Sequence, residues 1–542
     1  MTHPAATPAR TSWLDDAVVY EIYPQSFADS DGDGVGDLRG VIAHLDHLQW
    51  LGVDAIWFNP CFASPFRDAG YDVADYLRIA PRYGSNDDMV ELVEQARARG
   101  IRVLLDLVVG HTSDEHPWFQ AELAADGPAP EGDRYVWRTE EPARGWQEET
   151  PGIPAWVPSP GPRPGWYLKN FYDSQPALNF GWLAADDEPW RDPVDAPGPR
   201  RNRDALVEIM DFWLSRGVAG FRVDMAFSLV KDYDTERARA ASTQVWREVR
   251  DWLDRTHPDA VLIPEGDEPR TGEPLAYDAD FALVIHPMHA SLLNNGGAGT
   301  LPWYPATDCW FDADGGGSLE LFLAGWDEHQ RQTPGRPMLL ASSDHDFSRL
   351  VSGPRTAAEL GAVFTFLLTW GTVPSIYYGD EIGMRYLPGL PDVEGSICHP
   401  TYNRAGARTP MQWDRSAGAG FSTAAPDRLY LPVDPDPDRP DVATQRGDEG
   451  SLLHLVRRLL ALRREVPALR VGPTTEVLHT GHPLVYRRGG SHLVALNPTR
   501  EPVEVDLASV AGARLLLGQG AEVDGTTVRV DGFGHGVWEL GS

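Results

Sequence analysis

The sequence predicts an α/β protein: a (β/α)8 TIM barrel with an irregular insertion after strand 3 and a C-terminal all-β domain of β-sandwich type. Three observations predict it. Apolar runs of strand length alternate with amphipathic runs of helix length until eight strands have been counted. That rhythm breaks once, over residues 112–190, where prolines, glycines and tryptophans crowd in without a sustained helical period. After Val466 the apolar pattern turns into short alternating runs. The barrel is then expected over 1–111 and 191–466, an inserted subdomain B over 112–190, and the terminal domain over 467–542. One core rarely grows beyond roughly 250–300 residues, so a chain of 542 calls for more than one unit.

The elements follow in order. Ala17–Pro24 is a buried strand, and the helix Val41–Leu51 carries Val41, Leu45, Leu48 and Leu51 on one face before Gly52 stops it. Val53–Pro60 is the second strand. Ser85, with Asp88 three residues on, opens a helix that Gly100 closes, and Ile101–Val109 is the third strand. After the insertion come helix Arg203–Arg216, strand Gly217–Met225, helix Ala240–His257, and strands Ala260–Pro264 and Phe281–His286. Helix Leu319–Arg331, strand Pro337–Ser343, helix Ala357–Thr369, strand Val373–Tyr378 and helix Gly450–Val466 complete the barrel. Right-handed crossovers close eight such units on themselves.

Composition excludes some partners. A formal net charge of −33 argues against nucleic acid or an anionic membrane surface, since both need a basic footprint. No run approaches the roughly 18 apolar residues of a membrane span. The three cysteines, Cys61, Cys309 and Cys398, are scattered and odd in number, which suits a reduced cytoplasmic protein, monomer or homodimer. In the loop Asp29–Asp37, four aspartates fall within nine residues. Asp29, Asp31, Asp33 and Asp37, with the Val35 carbonyl, offer hard oxygen ligands for calcium or magnesium in a structural role.

Barrel chemistry sits at the carboxyl ends of strands. Those ends carry Asp106 and His111, then Arg222 and Asp224, then Glu265, then Asp344-His345-Asp346. Strand alternation puts Arg222 and Asp224 on one face. An ionised carboxylate and a protonated carboxylic acid about 5–5.5 Å apart are what retaining glycoside cleavage needs. Arg222 is the cation expected to keep Asp224 ionised, and Glu265 the group that has to carry the proton.

In these motifs the sequence resembles glycoside hydrolase family 13, the α-amylase superfamily, and within it the α-glucosidase, oligo-1,6-glucosidase and trehalose synthase group. The motifs are Asp106-Leu-Val-Val-Gly110-His111, Gly220-Phe-Arg-Val-Asp224, Leu262-Ile-Pro-Glu265, Asp344-His345-Asp346, Gly70-Tyr71-Asp72 and Ala407–Trp413. The resemblance implies Asp224 as nucleophile, Glu265 as general acid and base, and Asp346 as the grip on the 2- and 3-hydroxyls of glucose. Tyr71, His111 and His345 would line the glucose pocket. Asp72 would pair with Arg404, or alternatively Arg408, to close it and make the action exo on a small α-glucoside or oligosaccharide. Hydrolysis is the expected outcome, with transglucosylation or isomerisation, or a non-catalytic binding barrel, as alternatives. Gly110 stands where amylases often carry a calcium-binding asparagine, so the expected metal lies in the Asp29–Asp37 loop instead.

Overall fold

The computed structural model describes residues 12–142, 155–183, 188, 190–231, 235–266, 276–282, 284, 286–294, 308–399, 402–508, 510 and 512–541. Eight parallel strands form its centre: β1 Val19–Ile22, β2 Ala55–Phe58, β3 Arg102–Val108, β4 Gly220–Asp224, β5 Val261–Pro264, β6 Asp280–Ala282, β7 Met338–Ala341 and β8 Val373–Tyr377. Their order is β5-β4-β3-β2-β1-β8-β7-β6. The ladder stops between β5 and β6, and Asp278 bridges that seam. Its N–H donates to the Leu262 carbonyl at 2.9 Å and its carboxylate accepts from the Leu262 N–H at 2.8 Å.

Alternation divides each strand. Val19, Trp57, Leu104, Val261, Ile263, Phe281, Leu339, Ala341 and Val373 fill the barrel interior, while Tyr20, Ile56, Leu105, Phe221, Val223 and Leu340 face the helices. Those helices include α1 Leu38–Leu51, α2 Asn86–Ala98, α3 Pro197–Leu214, α4 Thr235–Thr256, α5 Glu320–Gln332, α6 Leu360–Thr369 and α7 Leu452–Glu465. Asp37 caps α1 by accepting from the Gly40 N–H at 2.7 Å, and Ser85 with Asp88 forms the expected capping box on α2. Helix α3 starts six residues before the expected position. Its first turn holds Pro197 and Pro199, where a missing N–H costs nothing. Strand β6 stops at Ala282, and His286, expected within it, caps the short helix Pro287–Leu293.

The insertion carries a three-stranded antiparallel sheet of Trp137–Arg138, Trp166–Lys169 and Ala155–Pro158. A bridge between His111 and Ala177 ties it to the barrel mouth. The terminal region is a six-stranded antiparallel sheet of β9 Thr475–His479, β10 Leu484–Arg488, β11 His492–Leu496, β12 Val503–Asp506, β13 Arg514–Asp524 and β14 Thr527–Glu539. Strand β14 pairs with β12 along 527–530 and with β11 along 535–539. The sheet covers its own core of Val485, Leu493, Ala495, Val528, Val530 and Trp538. No described helix is long and apolar enough to cross a membrane.

Candidate active site

Register builds one half of the site. Asp106 lies directly beside Arg222, and Val108 beside Asp224. Inward-pointing residues on neighbouring strands therefore meet: Arg222 Nη1 donates to both Asp106 oxygens at 3.0 and 3.1 Å and to Asp224 Oδ1 at 3.1 Å. Its Nη2 reaches Glu265 Oε1 at 2.9 Å. Glu265 is placed by its own N–H, which donates to the Val223 carbonyl at 2.8 Å, and by the Met225 N–H, which donates to Oε2 at 2.8 Å. Met225 adopts φ 44°, a strained conformation for a side-chain-bearing residue, and that turn aims its N–H at Glu265. Asp224 and Glu265 thus sit on the two terminal nitrogens of one guanidinium.

The expectation that Arg222 would hold Asp224 low does not survive. Burial, then the charge of Glu265, push the Asp224 carboxyl well above the usual carboxylate range, against the pull of Arg222. The reason is arithmetic: one guanidinium is shared among three carboxylates. Asp106, buried on the same guanidinium, is pushed up to about 6, chiefly by burial.

The other half surrounds Asp346. Arg404 Nη1 and Arg408 Nη2 both donate to its Oδ1, at 3.1 and 2.9 Å. Burial acts to raise this carboxyl, but the surrounding positive charge holds it below the usual range. His345 contributes little of that charge near neutral pH, because burial pushes its imidazole down to about 3. The two guanidiniums carry the effect.

The expected Asp72–Arg404 pair is not formed. Arg404 Nη2 donates to Asp68 Oδ1 at 2.8 Å, and Gln175 holds the other Asp68 oxygen at 2.9 Å. Asp72 is fully buried. Its oxygens accept from Ser64 Oγ and from the Arg67 and Asp68 N–H groups at 2.9 to 3.1 Å. The loop that carries both acids has positive φ at Phe66, Ala69 and Gly70, and this reversal presents Asp68 rather than Asp72. Arg404 and Arg408, weighed as alternatives, both serve Asp346.

The remaining expected residues converge between the halves. Tyr71 donates its hydroxyl toward Asp106 Oδ2 at 3.1 Å and lies 2.7 Å from His345 Nε2. His111 donates Nε2–H to the Tyr71 carbonyl at 3.0 Å and accepts at Nδ1 from Asn170 at 3.1 Å. Burial pushes His111 down to about 4, so it is neutral at pH 7. Sequence reasoning missed Glu21, an inward residue of β1. Its Oε1 lies 2.7 Å from His345 Nδ1 and accepts from Asn59 at 3.1 Å. A carboxylate at an inward position of an apolar strand was the available signal. Gly110 leaves room for Asn170: a Cβ there would stand 2.7 Å from Asn170 Nδ2. The buried Lys231 ammonium lies 3.4 Å from Asn170 Oδ1 and bonds to the Ser228 carbonyl, so positive charge already occupies this side.

In the acidic loop, oxygens of Asp29, Asp31 and Asp37 lie within 4.8 Å of one another. Asp33 is not in that group. Its Oδ1 accepts the Val35 N–H at 2.7 Å.

Carboxyl groups gathered on one guanidinium at the mouth of a (β/α)8 barrel, with a further one kept ionised opposite them, define a class of enzymes that work on glycosidic bonds. The model of the α-amylase catalytic domain matches residues 21–280 and 318–472, and the chain belongs to the α-amylase family. It is 34% identical to the trehalose synthase/amylase TreS of Mycobacterium tuberculosis, over 93% of this chain and 85% of that protein. It is 31% identical to the oligo-1,6-glucosidase of Parageobacillus thermoglucosidasius, over 88% and 87%. Among solved structures it is similar to the isomaltulose synthase of Erwinia rhapontici NX5, with TM-score 0.79, 25% identity, and coverage of 99% of this chain and 100% of that one.

Proposed function

We propose that the protein is a retaining, exo-acting α-glucosidase that removes terminal non-reducing α-linked glucose from short oligosaccharides or small glucosides. In this reading Asp224 attacks the anomeric carbon while Glu265 protonates the departing oxygen. A water then attacks the β-glucosyl enzyme as Glu265 takes its proton, and the cycle closes. The seating of Asp224 and Glu265 on the two nitrogens of one guanidinium supports retention, because it keeps the two carboxyls close rather than apart by the width an inverting enzyme needs for its water. Asp346, kept ionised by Arg404 and Arg408, would bind the 2- and 3-hydroxyls as positive charge develops on the ring. His111, His345 and Tyr71 would line the glucose pocket.

The observation that carries exo-action is the Asp68–Arg404–Asp346 chain, which links the β2 side of the mouth to the segment after β8. The test is a panel of maltose, isomaltose, sucrose and trehalose with products separated by chromatography. Glucose as the main product is expected. A rearranged disaccharide as the main product would replace this reading with an isomerase, which the trehalose synthase and isomaltulose synthase relatives favour.

Asp29, Asp31 and Asp37 fit a hard divalent cation, calcium or magnesium, whose role would be to tie the loop to the start of α1. Chelation is expected to lower the melting temperature, and Asp31→Ala to abolish that sensitivity. Three free thiols support a reducing, cytoplasmic setting.

A further inference from the structure

A cavity of about 370 Å³ opens in the inserted sheet, and it shares no lining residue with the catalytic mouth. Tyr135, Trp137 and Trp190 make its wall aromatic. Its charged groups are not equally engaged. Asp133 is spent on Arg163, whose Nη1 and Nη2 reach it at 2.9 and 2.5 Å. Arg138 is different. Its guanidinium lies 5.3 and 5.4 Å from the ring centres of Trp156 and Trp190, and it makes no hydrogen bond or ion pair among the described residues. Asp192 gives Oδ2 to Asn179 at 2.8 Å and leaves Oδ1 without a partner among the described residues. The two do not pair with each other, although they line the same cavity.

A ligand for this place has to accept from a guanidinium and donate to a carboxylate while setting an apolar face on aromatic rings. Adjacent hydroxyls of a pyranose do both, and its C–H face supplies the third contact. Charge narrows the class further. Asp126, Asp133, Glu140 and Asp192 outnumber Arg138 and Arg163 around the cavity, which disfavours an anion, and the unpaired Arg138 disfavours a cation. The volume lies in the range of roughly 300–1,000 Å³ typical of small-molecule sites. We propose that this cavity is a second saccharide site, taking a neutral mono- or disaccharide between Arg138 and Asp192 against the Trp190 wall.

The test uses the full chain carrying Asp224→Asn, which holds sugar without turning it over, titrated with maltose and with trehalose by calorimetry and ligand-observed NMR. A binding event that weakens at least tenfold on adding Arg138→Gln or Asp192→Asn is expected. The same two changes in the wild-type background are expected to leave kcat and KM on a small glucoside within twofold. Trp190→Ala, checked for an unchanged melting temperature, is expected to remove the same event. Sugar binding that is insensitive to all three changes would overturn the proposal. So would an Arg138-dependent event seen with spermidine or sulfate but not with sugar. The readout is binding, so it stands apart from the glucosidase reading, which is judged by products.

Discussion

The two halves of the catalytic mouth set their carboxylates in opposite directions. On the β4 side one guanidinium, Arg222, serves Asp106, Asp224 and Glu265, and Asp224 is pushed up. On the β7 side two guanidiniums, Arg404 and Arg408, serve one oxygen of Asp346, and that carboxyl is held down. Burial alone raises every carboxyl, so the ratio of cations to carboxylates decides the outcome. The arrangement suits the division of labour proposed above. The cation-poor half holds the proposed nucleophile and acid on one guanidinium. The cation-rich half keeps a permanent negative charge where the sugar ring would lie.

The largest expected effect comes from breaking the cation-poor half. Asp224→Asn is expected to lower turnover of an aryl α-glucoside by about 10⁴-fold or more, the scale seen when a covalent nucleophile is removed. The fold should persist, since asparagine can still accept from Arg222. Unchanged turnover would remove Asp224 from the chemistry altogether.

Breaking the cation-rich half is expected to cost less. Arg404→Leu leaves Arg408 on Asp346 but strands Asp68, whose other partner is Gln175 alone. A charge-assisted bond is worth about 1.5–3 kcal/mol, so kcat/KM is expected to fall roughly 10- to 100-fold on a short substrate. Much of that loss should appear in KM, because the pair would hold the non-reducing glucose. A variant with unchanged KM on maltose would show that Asp68 and Arg404 merely tie the loops together.

The sequence made the barrel legible because its signal is periodic. Strand and helix runs, the Ser85–Asp88 cap and the inward facing of Arg222 and Asp224 all follow from local spacing. The same alternation would have revealed Glu21, had the charged residue inside an apolar strand been weighed. What could not be read is direction in irregular backbone. Asp68 and Asp72 are four residues apart in one loop, and three positive φ angles decide which of them meets Arg404. At Met225 it is the backbone N–H at φ 44° that holds Glu265, which no side-chain pattern announces. Strand β13 gives a weak signal because glycines interrupt it and much of it is exposed. The sharing of one guanidinium by three acids depends on three strand ends meeting, which no single motif contains.

The smallest expected effect is the sharpest test of the charge ratio, because it separates two aspartates in one triplet. Asp346 faces two guanidiniums, whereas Asp344 turns back, and its Oδ1 accepts from the Asp346 and Phe347 N–H groups at 2.9 Å each. Burial, then the charge of Asp346, push Asp344 up to about 8. It therefore carries a proton at neutral pH and is uncharged there, as an asparagine would be. Its folded pKa lies above the unfolded value of about 3.9, so its contribution is fully favourable below pH ~4 and is lost as pH rises toward 8. Asp344→Asn keeps the accepting oxygen and removes the titration. The variant is expected to match the wild type in melting temperature near pH 4, to gain on it progressively up to pH 8, and to keep a constant advantage above that. Activity at pH 6–7 is expected to stay within about threefold, since a neutral amide replaces a neutral acid in the same bonds. A wild type that is the more stable of the two at pH 9 would mean that Asp344 is ionised and paired, and that the cation count around the β7 loop is higher than Arg404 and Arg408 alone supply.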